Sequence, residues 1–412
     1  VNLTRPHRII VVTERRPVIR RLPWADIDDL LRSFRPLVDI VPTFTRGEYR
    51  LTPRGHVGVF HTTNLTWHVR PKIGWTGFRF LLGEDIPARA GGPTQREADW
   101  PAELATLVAH RLAVLMYERA TAGLLRGYAE RETVSDTVRG RIDLGRQTRE
   151  AGRIVHRFHL IEDEFTTDIA WNQIPVTVAH DLLQRIGLAP DVRLLLTRAV
   201  DLYPGVTRLS RLTPESFGRL VYDPRTTAYR PLIELCRLVD TSPGPASASD
   251  NEVAHKTSLL LNLEQLFQQH VTRILSQSTR LPAGWTVNPT PPVVLRSSSG
   301  TGDLELLPDL LVADAAGGTR GVWDVKWKRL AETGPEPADA HQALGYAAAT
   351  GSRVAGLIYP GRRFAVRSYS ADGGVRLFVV THRVAGTAVR LDQGIDRLVR
   401  LVFTTGNGPA AL

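Results

Sequence analysis

The chain has 412 residues, 42% of them hydrophobic and 23% charged, a size and balance that fit two or three globular domains with buried cores. Its 52 Lys and Arg against 42 Asp and Glu give a formal charge of +10, which favours a polyanionic partner, although an arginine-rich solvated surface accounts for the charge equally well. A single cysteine, Cys236, excludes an internal disulfide and a Cys-based zinc site. No run approaches the roughly 20 apolar residues of a membrane span, and charges interrupt the N-terminus too often for a signal peptide, so a cytoplasmic location is expected.

In chain order, residues 1–95 read as a β-rich domain. Short β-branched or aromatic runs at 8–13, 49–52, 57–60 and 65–69 are separated by Arg46-Gly47, Pro53-Arg54-Gly55 and Asn64. One helix is predicted at 24–34, with Pro23 tolerated at its start. The segment 78–82 follows, and Ala90 to Pro93 reads as an exposed connection. Residues 96–245 read as mainly helical, with helices at 101–125, 167–186, 190–203 and 230–239 and an extended stretch at 134–144. Asp168 falls where it favours the positive end of the second of these helices. The Pro-, Ser- and Ala-rich stretch 241–250 has linker composition and marks the main domain boundary.

Residues 246–412 change pattern again. A helix at 258–275 precedes strands near 293–296, 304–312 and 321–327. A helix at 338–350, strands near 354–359 and 375–381, and a helix at 391–402 follow. That order describes a compact α/β domain with a mixed sheet, and the whole chain is expected to be α+β and multidomain.

The chemistry concentrates between residues 304 and 328. Asp309 follows Pro308 inside an apolar run, where an unpaired carboxylate is expensive to bury. Asp324 and Lys326 alternate with Trp323, Val325 and Trp327, so on a strand they share one face. Alone, such a pattern is more often a surface ion pair. Pairing of the two strands, however, brings Asp309 beside Asp324, and two carboxylates with a lysine can hold Mg2+ and manage a hydrolytic water, with Lys326 orienting that water or stabilising developing charge.

Downstream, Gln342 and Tyr346 stand four apart on one helical face and can support this centre. Upstream, Glu264 is expected inside an apolar stripe of Leu260, Phe267, Val271 and Leu275, with Gln268 bordering it. Either is a candidate to complete the metal site. His56, His61 and His68 read as surface or packing residues. The sequence holds no phosphate-binding G-x-x-x-x-G-K-[ST], no H-E-x-x-H and no G-x-S-x-G.

Asp309 followed by Asp324-Val325-Lys326 resembles the PD-(D/E)XK nuclease superfamily, and Gln342 to Tyr346 is similar to the Q-x-x-x-Y helix of its RecB-like branch. More of the chain resembles the McrC family, the nuclease subunits of McrBC modification-dependent restriction systems. The features concerned are Val69-Arg-Pro-Lys-Ile-Gly74, Gly123 to Tyr128, Val138-Arg-Gly-Arg-Ile142, Glu164 to Asp168 leading to Asn172, Leu307-Pro-Asp-Leu310 and Trp323 to Lys328. The resemblance implies an endonuclease that cuts double-stranded, 5-methylcytosine-type modified DNA with Mg2+, Mn2+ being able to substitute. It also implies a McrB-type AAA+ GTPase partner that is stimulated by this chain, docked through the N-terminal and helical regions. One departure is Gln268, where the family usually carries Glu after Leu-Phe. A different class of function is a non-catalytic adaptor of an AAA+ NTPase with a degenerate nuclease fold.

Overall fold

A computed structural model describes residues 8–84, 100–150, 157–184, 187–240, 259–289, 291–295, 302–371 and 373–405. The expected connection at 90–93 and the linker at 241–250 lie outside the described residues. The chain forms two compact units, Val1–Pro101 with Ser242–Leu412, and Ala102–Thr241.

The first unit starts with β1 (Arg8–Thr13), β2 (Val18–Arg21), α1 (Trp24–Ser33), β3 (Val38–Pro42), β4 (Glu48–Pro53), β5 (His56–His61), β6 (Leu65–Arg70) and α2 (Trp75–Leu82). Strands β2, β4 and β3 make a small antiparallel sheet, while β1 runs parallel to β6 and β6 antiparallel to β5. The core between α1 and the sheets is apolar and aromatic: Ile27 and Leu30 from α1 meet Phe34, Phe60 and Trp67.

In the second unit α3 (Trp100–Ala122) is followed by β7 (Gly127–Ser135), β8 (Arg141–Ile142), α4 (Leu144–Glu150) and β9 (Phe158–Thr166). Then come α5 (Ala170–Leu183), α6 (Pro190–Asp201), the short α7 (Pro214–Gly218) and α8 (Arg230–Asp240). The expected helices are present in this unit. The sheet β7-β9-β8 is the addition: β7 and β9 pair antiparallel along their full length, from Gly127 opposite Thr166 to Ser135 opposite Phe158. Both strands carry several charged residues, β7 is mostly exposed and β9 buries only His159 and Leu160, so backbone pairing rather than apolar alternation defines them. Asn172 of α5 is buried and ties this unit's segments together. Its Nδ2 donates to Leu125 O at 2.9 Å and Thr167 O at 2.7 Å, and the Tyr229 hydroxyl donates to its Oδ1 at 2.9 Å. Asp168 accepts from Thr207 N and Gln173 Nε2, both at 2.8 Å, so it pins a loop in addition to flanking the helix start.

The chain then returns to the first unit with β10 (Leu259–Asn262), α9 (Leu263–Ser276), β11 (Thr286–Pro289), β12 (Val293–Leu295), β13 (Leu304–Leu306), β14 (Leu310–Ala313) and β15 (Thr319–Val325). It ends with α10 (Pro337–Thr350), β16 (Val354–Gly361), β17 (Ala365–Ser370), β18 (Arg376–Arg383) and α11 (Ala388–Thr405). The helix expected from residue 258 is corrected here: Leu259–Asn262 is a strand that pairs with β5 and completes the sheet β1-β6-β5-β10. Gly58 permits this approach, since its φ is +134° and a Cβ there would lie 1.9 Å from Leu259 O. Segments 1–95 and 246–412 thus share one unit. The strand expected at 304–312 is also divided. Pro308 interrupts it, β13 pairing with β12 and β14 with β11 and β15.

The larger sheet has six strands in the order β11-β14-β15-β16-β18-β17, antiparallel at both edges and parallel across β15, β16 and β18. Helix α10 is the crossover between β15 and β16. Its Ala343 and Ala347 pack on Ala355, Leu357, Tyr359, Leu377 and Val379. No helix among the described residues is long and apolar enough to cross a membrane.

Candidate active site

The register of β14 and β15 places Leu310 opposite Trp323, and Asp309, one residue before β14, accepts from Val325 N, the residue after Asp324. Asp324 continues a row through Leu357 and Val379 on the face that α10 covers, and the residue is only 2% exposed. Trp323, Val325 and Trp327 are buried as well. Lys326 lies one residue beyond β15, and its N–H still donates to Ile358 O at 2.9 Å, so the parallel pairing carries it beside Asp324.

Asp324 Oδ2 lies 2.7 Å from Lys326 Nζ. The ammonium also donates to Gln342 Oε1 at 2.9 Å, Gln342 Nε2 donates to the Tyr346 hydroxyl at 2.8 Å, and that hydroxyl donates to Leu307 O at 3.3 Å. The i, i+4 pair on α10 therefore forms a hydrogen-bonded rail from Lys326 back to the turn that carries Asp309. Burial alone would lower the Lys326 ammonium, but the Asp324 carboxylate offsets this and, with Asp309 and Asp339, holds it above the ordinary lysine value. It stays charged at neutral pH.

Asp309 is half-buried. Its Oδ2 accepts from Val325 N at 2.6 Å and its Oδ1 from Gln268 Nε2 at 2.9 Å. Burial, then the charge of Asp324, pushes its carboxyl up to about 7, against the opposing pull of the Val325 N–H and Lys326. Glu264 adds a smaller upward push.

The structure distinguishes the two α9 candidates. Asn262 caps the helix, accepting from Glu264 N at 2.9 Å and Gln265 N at 3.3 Å, so the helix begins at Leu263 and its buried stripe is Leu263, Leu266, Phe267, His270, Val271 and Leu275. Glu264 is on the exposed flank, outside that stripe, contrary to the expectation that it sits within it. Gln268, one turn on, is the α9 residue that touches Asp309.

Among the described residues no group of three or more His, Cys, Asp or Glu is gathered for a metal ion, and the carboxylates at this point number two. Two hard oxygen donors suit a small divalent cation that retains several waters. The donor set here is the paired carboxylates of Asp309 and Asp324, with Lys326 Nζ 2.7 Å from Asp324 Oδ2. His270 and His382 approach at 3.2 Å between their Nε2 atoms, a hydrogen bond inside the core.

A neighbouring cluster was not foreseen. Lys328 donates to Glu336 Oε2 at 2.6 Å and Asp339 Oδ1 at 3.0 Å, and the Tyr359 hydroxyl donates to Asp339 Oδ2 at 2.6 Å. The signal available in the sequence was Lys328 itself, two residues beyond Lys326 and so on the same side of an extended chain. Asp339 lies one turn before Gln342 on α10, so this cluster anchors the start of the helix that supplies the rail.

A family model described as "McrBC 5-methylcytosine restriction system component" matches residues 51–360, three quarters of the sequence. The chain belongs to this family. The McrBC match covers β5 through almost all of β16, and with them Gln268, Asp309, Asp324, Lys326, Gln342 and Tyr346. No curated protein matches the sequence significantly.

Two solved structures are distantly similar to this McrBC-family chain. One is a refined half-complex from a tetradecameric assembly of Thermococcus gammatolerans McrB AAA+ hexamers with bound McrC. It has 16% identity and a TM-score of 0.45 over 96% of this chain and 100% of that one. The other, the McrBC complex of the same organism determined by cryo-EM, has 19% identity and a TM-score of 0.36 over 65% of this chain and 87% of that one.

Proposed function

We propose that this chain is the DNA-cutting subunit of a GTP-dependent, modification-dependent restriction complex, a PD-(D/E)XK-type endonuclease recruited and driven by a McrB-type AAA+ GTPase that it stimulates in turn. The observation that carries this is the approach of Asp309, at the start of β14, to the end of β15 that bears Asp324, with a charged Lys326 at 2.7 Å from Asp324 and the Gln342–Tyr346 rail behind it.

Asp309 and Asp324 would hold Mg2+, with Mn2+ able to replace it. Bound there, the ion would supply Lewis acidity toward the scissile phosphate and its attacking water. Lys326, kept protonated by Asp324, supplies a fixed positive charge for the extra negative charge of the pentavalent transition state. It is not the base, because its proton is held. Gln342 fixes the direction of the ammonium, and the Val325 N–H and Gln268 amide fix both oxygens of Asp309. The surplus of basic residues suits the polyanionic substrate.

The expected result of reconstitution with a McrB-type GTPase is GTP- and Mg2+-dependent cleavage of 5-methylcytosine-containing DNA, with unmodified DNA spared and cleavage abolished by EDTA. GTPase stimulation with no cleavage on either DNA would instead make the chain an adaptor.

Gln268 gives a separate check that needs no DNA. Substituting Gln268→Ala removes a hydrogen bond that orients a metal-binding carboxylate and is expected to weaken Mg2+ binding by about tenfold. The change Gln268→Glu is expected to tighten it by adding a third oxygen donor. Calorimetric titration of the isolated chain measures both, and equal affinities in all three proteins would remove Gln268 from the site.

A further inference from the structure

The walls of the site come from α9, which carries Gln268, and from the end of β15, which leads into Lys326. Both are anchored on the N-terminal sheet. Helix α9 begins where β10 leaves that sheet, and Leu263 N donates to Gly55 O at 2.8 Å, just ahead of β5. The second anchor is Glu14, the residue after β1.

Glu14 is 0% exposed. Its N–H donates to Arg70 O at 2.9 Å, while Lys72 N donates to its Oε1 at 3.3 Å. The indole N–H of Trp327 points between its two carboxylate oxygens, at 3.2 Å from Oε1 and 3.1 Å from Oε2. Lys72 Nζ stands 4.7 Å from the centroid of the same indole. The Trp327 ring also packs, tilted, against Phe267, centroids 5.3 Å apart, and Phe267 is the residue before Gln268.

A carboxylate so deeply buried is retained only where donors and an opposite charge compensate it. Here they are the Trp327 indole, a backbone amide and the Lys72 ammonium. Burial pushes the Glu14 carboxyl up, and Lys72 and Trp327 oppose that push. The arrangement leaves the Trp327 ring no free rotation, and Trp327 directly follows Lys326.

We infer that Glu14, backed by Lys72, is a positioning residue for the cutting centre: it fixes the Trp327 indole and through it the strand end that presents Lys326 to Asp324. This rests on the proposal that Asp309, Asp324 and Lys326 cut DNA. It also gives a task to Lys72 of the Val69-to-Gly74 motif, which is remote in sequence from the acidic residues. Glu14 itself lies before the span matched by the family model.

The test uses the full chain with its GTPase partner and methylated DNA, comparing Glu14→Gln, Trp327→Phe and the double variant. Each single change is expected to lower the single-turnover cleavage rate at saturating DNA by roughly ten- to a hundredfold, because small displacements of a reacting group have effects of that size. The DNA concentration giving half-maximal rate should not move. The double variant should be no slower than the slower single one, since both changes remove the same hydrogen bond. Lys72→Arg should keep the rate within about twofold, as the charge over the ring is preserved.

A merely structural strut would give a different pattern: a lower melting temperature with a wild-type rate well below it. That pattern in both single variants, or strictly additive losses in the double variant, overturns the inference. Trp327→Phe keeps an aromatic ring against Phe267, so the test survives poor folding of Glu14→Gln. A wild-type complex that neither binds Mg2+ nor cleaves would sink the cutting centre itself and this inference with it. Normal wild-type cleavage with unaffected variants would sink the positioning role alone.

Discussion

Substitution of Asp324 by Ala is expected to reduce DNA cleavage by about a thousandfold or more, because in the proposed centre it removes both a carboxylate for the metal and the partner that fixes Lys326. Stimulation of the proposed GTPase partner is expected to persist. Asp324 is buried in a row with Leu357 and Val379, so the Ala variant also leaves the Lys326 ammonium half-buried with Gln342 as its remaining partner at the site. Losing one partner of a fully buried ion pair costs about 3 kcal/mol or more, and less here, because Lys326 is partly solvated and keeps the attraction of Asp309 and Asp339. Asp324→Asn is therefore the companion variant: it keeps the side-chain volume and a polar group near Lys326 but loses the charge. Both variants should be inactive in the reconstituted assay, and a melting curve shows whether Asn folds where Ala does not. Cleavage at the wild-type rate in a folded Asp324 variant would make the metal-site assignment wrong.

In the proposed metal centre, Mg2+ affinity is expected to rise by about tenfold between pH 6 and pH 8, because only ionised Asp309 would hold the ion and burial beside Asp324 pushes that carboxyl from its ordinary 3.8 up to about 7. The same shift bears on stability. The folded state holds this proton more tightly than the unfolded chain does, so the stability it contributes is fully present below about pH 4 and is lost as pH rises towards about 7. Without metal, the melting temperature of the wild type relative to Asp309→Asn should therefore fall between pH 5 and pH 8. Added Mg2+ should restore the wild type at pH 8 and leave Asp309→Asn unchanged. Calorimetry at the two pH values and paired melting curves measure this. A pH-independent affinity would mean that Asp309 is already ionised at pH 6 and that its burial beside Asp324 is compensated without a metal.

Local sequence carried much of the candidate site because its spacings are short and periodic. Asp324 and Lys326 are two apart on an extended chain, and Gln342 and Tyr346 are four apart on a helix, so the side each pair shares follows from backbone geometry. Asp309 was legible for another reason: a carboxylate after Pro308 in an apolar run needs a partner. Glu264 shows where the same logic failed. Helical spacing was extended back to Leu260, but Leu259–Asn262 pairs as a strand with β5, so the helix starts after the Asn262 cap, Leu260 is not part of its stripe, and Glu264 stands exposed in the first turn. A partner strand some two hundred residues away decided where that helix starts, and local periodicity does not report it. β7 and β9 were missed for a related reason, as their charged side chains carry no apolar alternation and their pairing is made by backbone groups.

By itself the sequence determined the α+β character and which polar residues share a side: Asp324 with Lys326 on a strand, Gln342 with Tyr346 on a helix. Element type and side-chain face are local properties, set by backbone periodicity and by the cost of burying charge. Only the tertiary structure decided which α9 residue reaches Asp309, that the rail returns to Leu307, and that Glu14 and Lys72 close on Trp327. Those contacts depend on strand register and on β10 joining the N-terminal sheet, and register is fixed by packing between segments far apart in the chain.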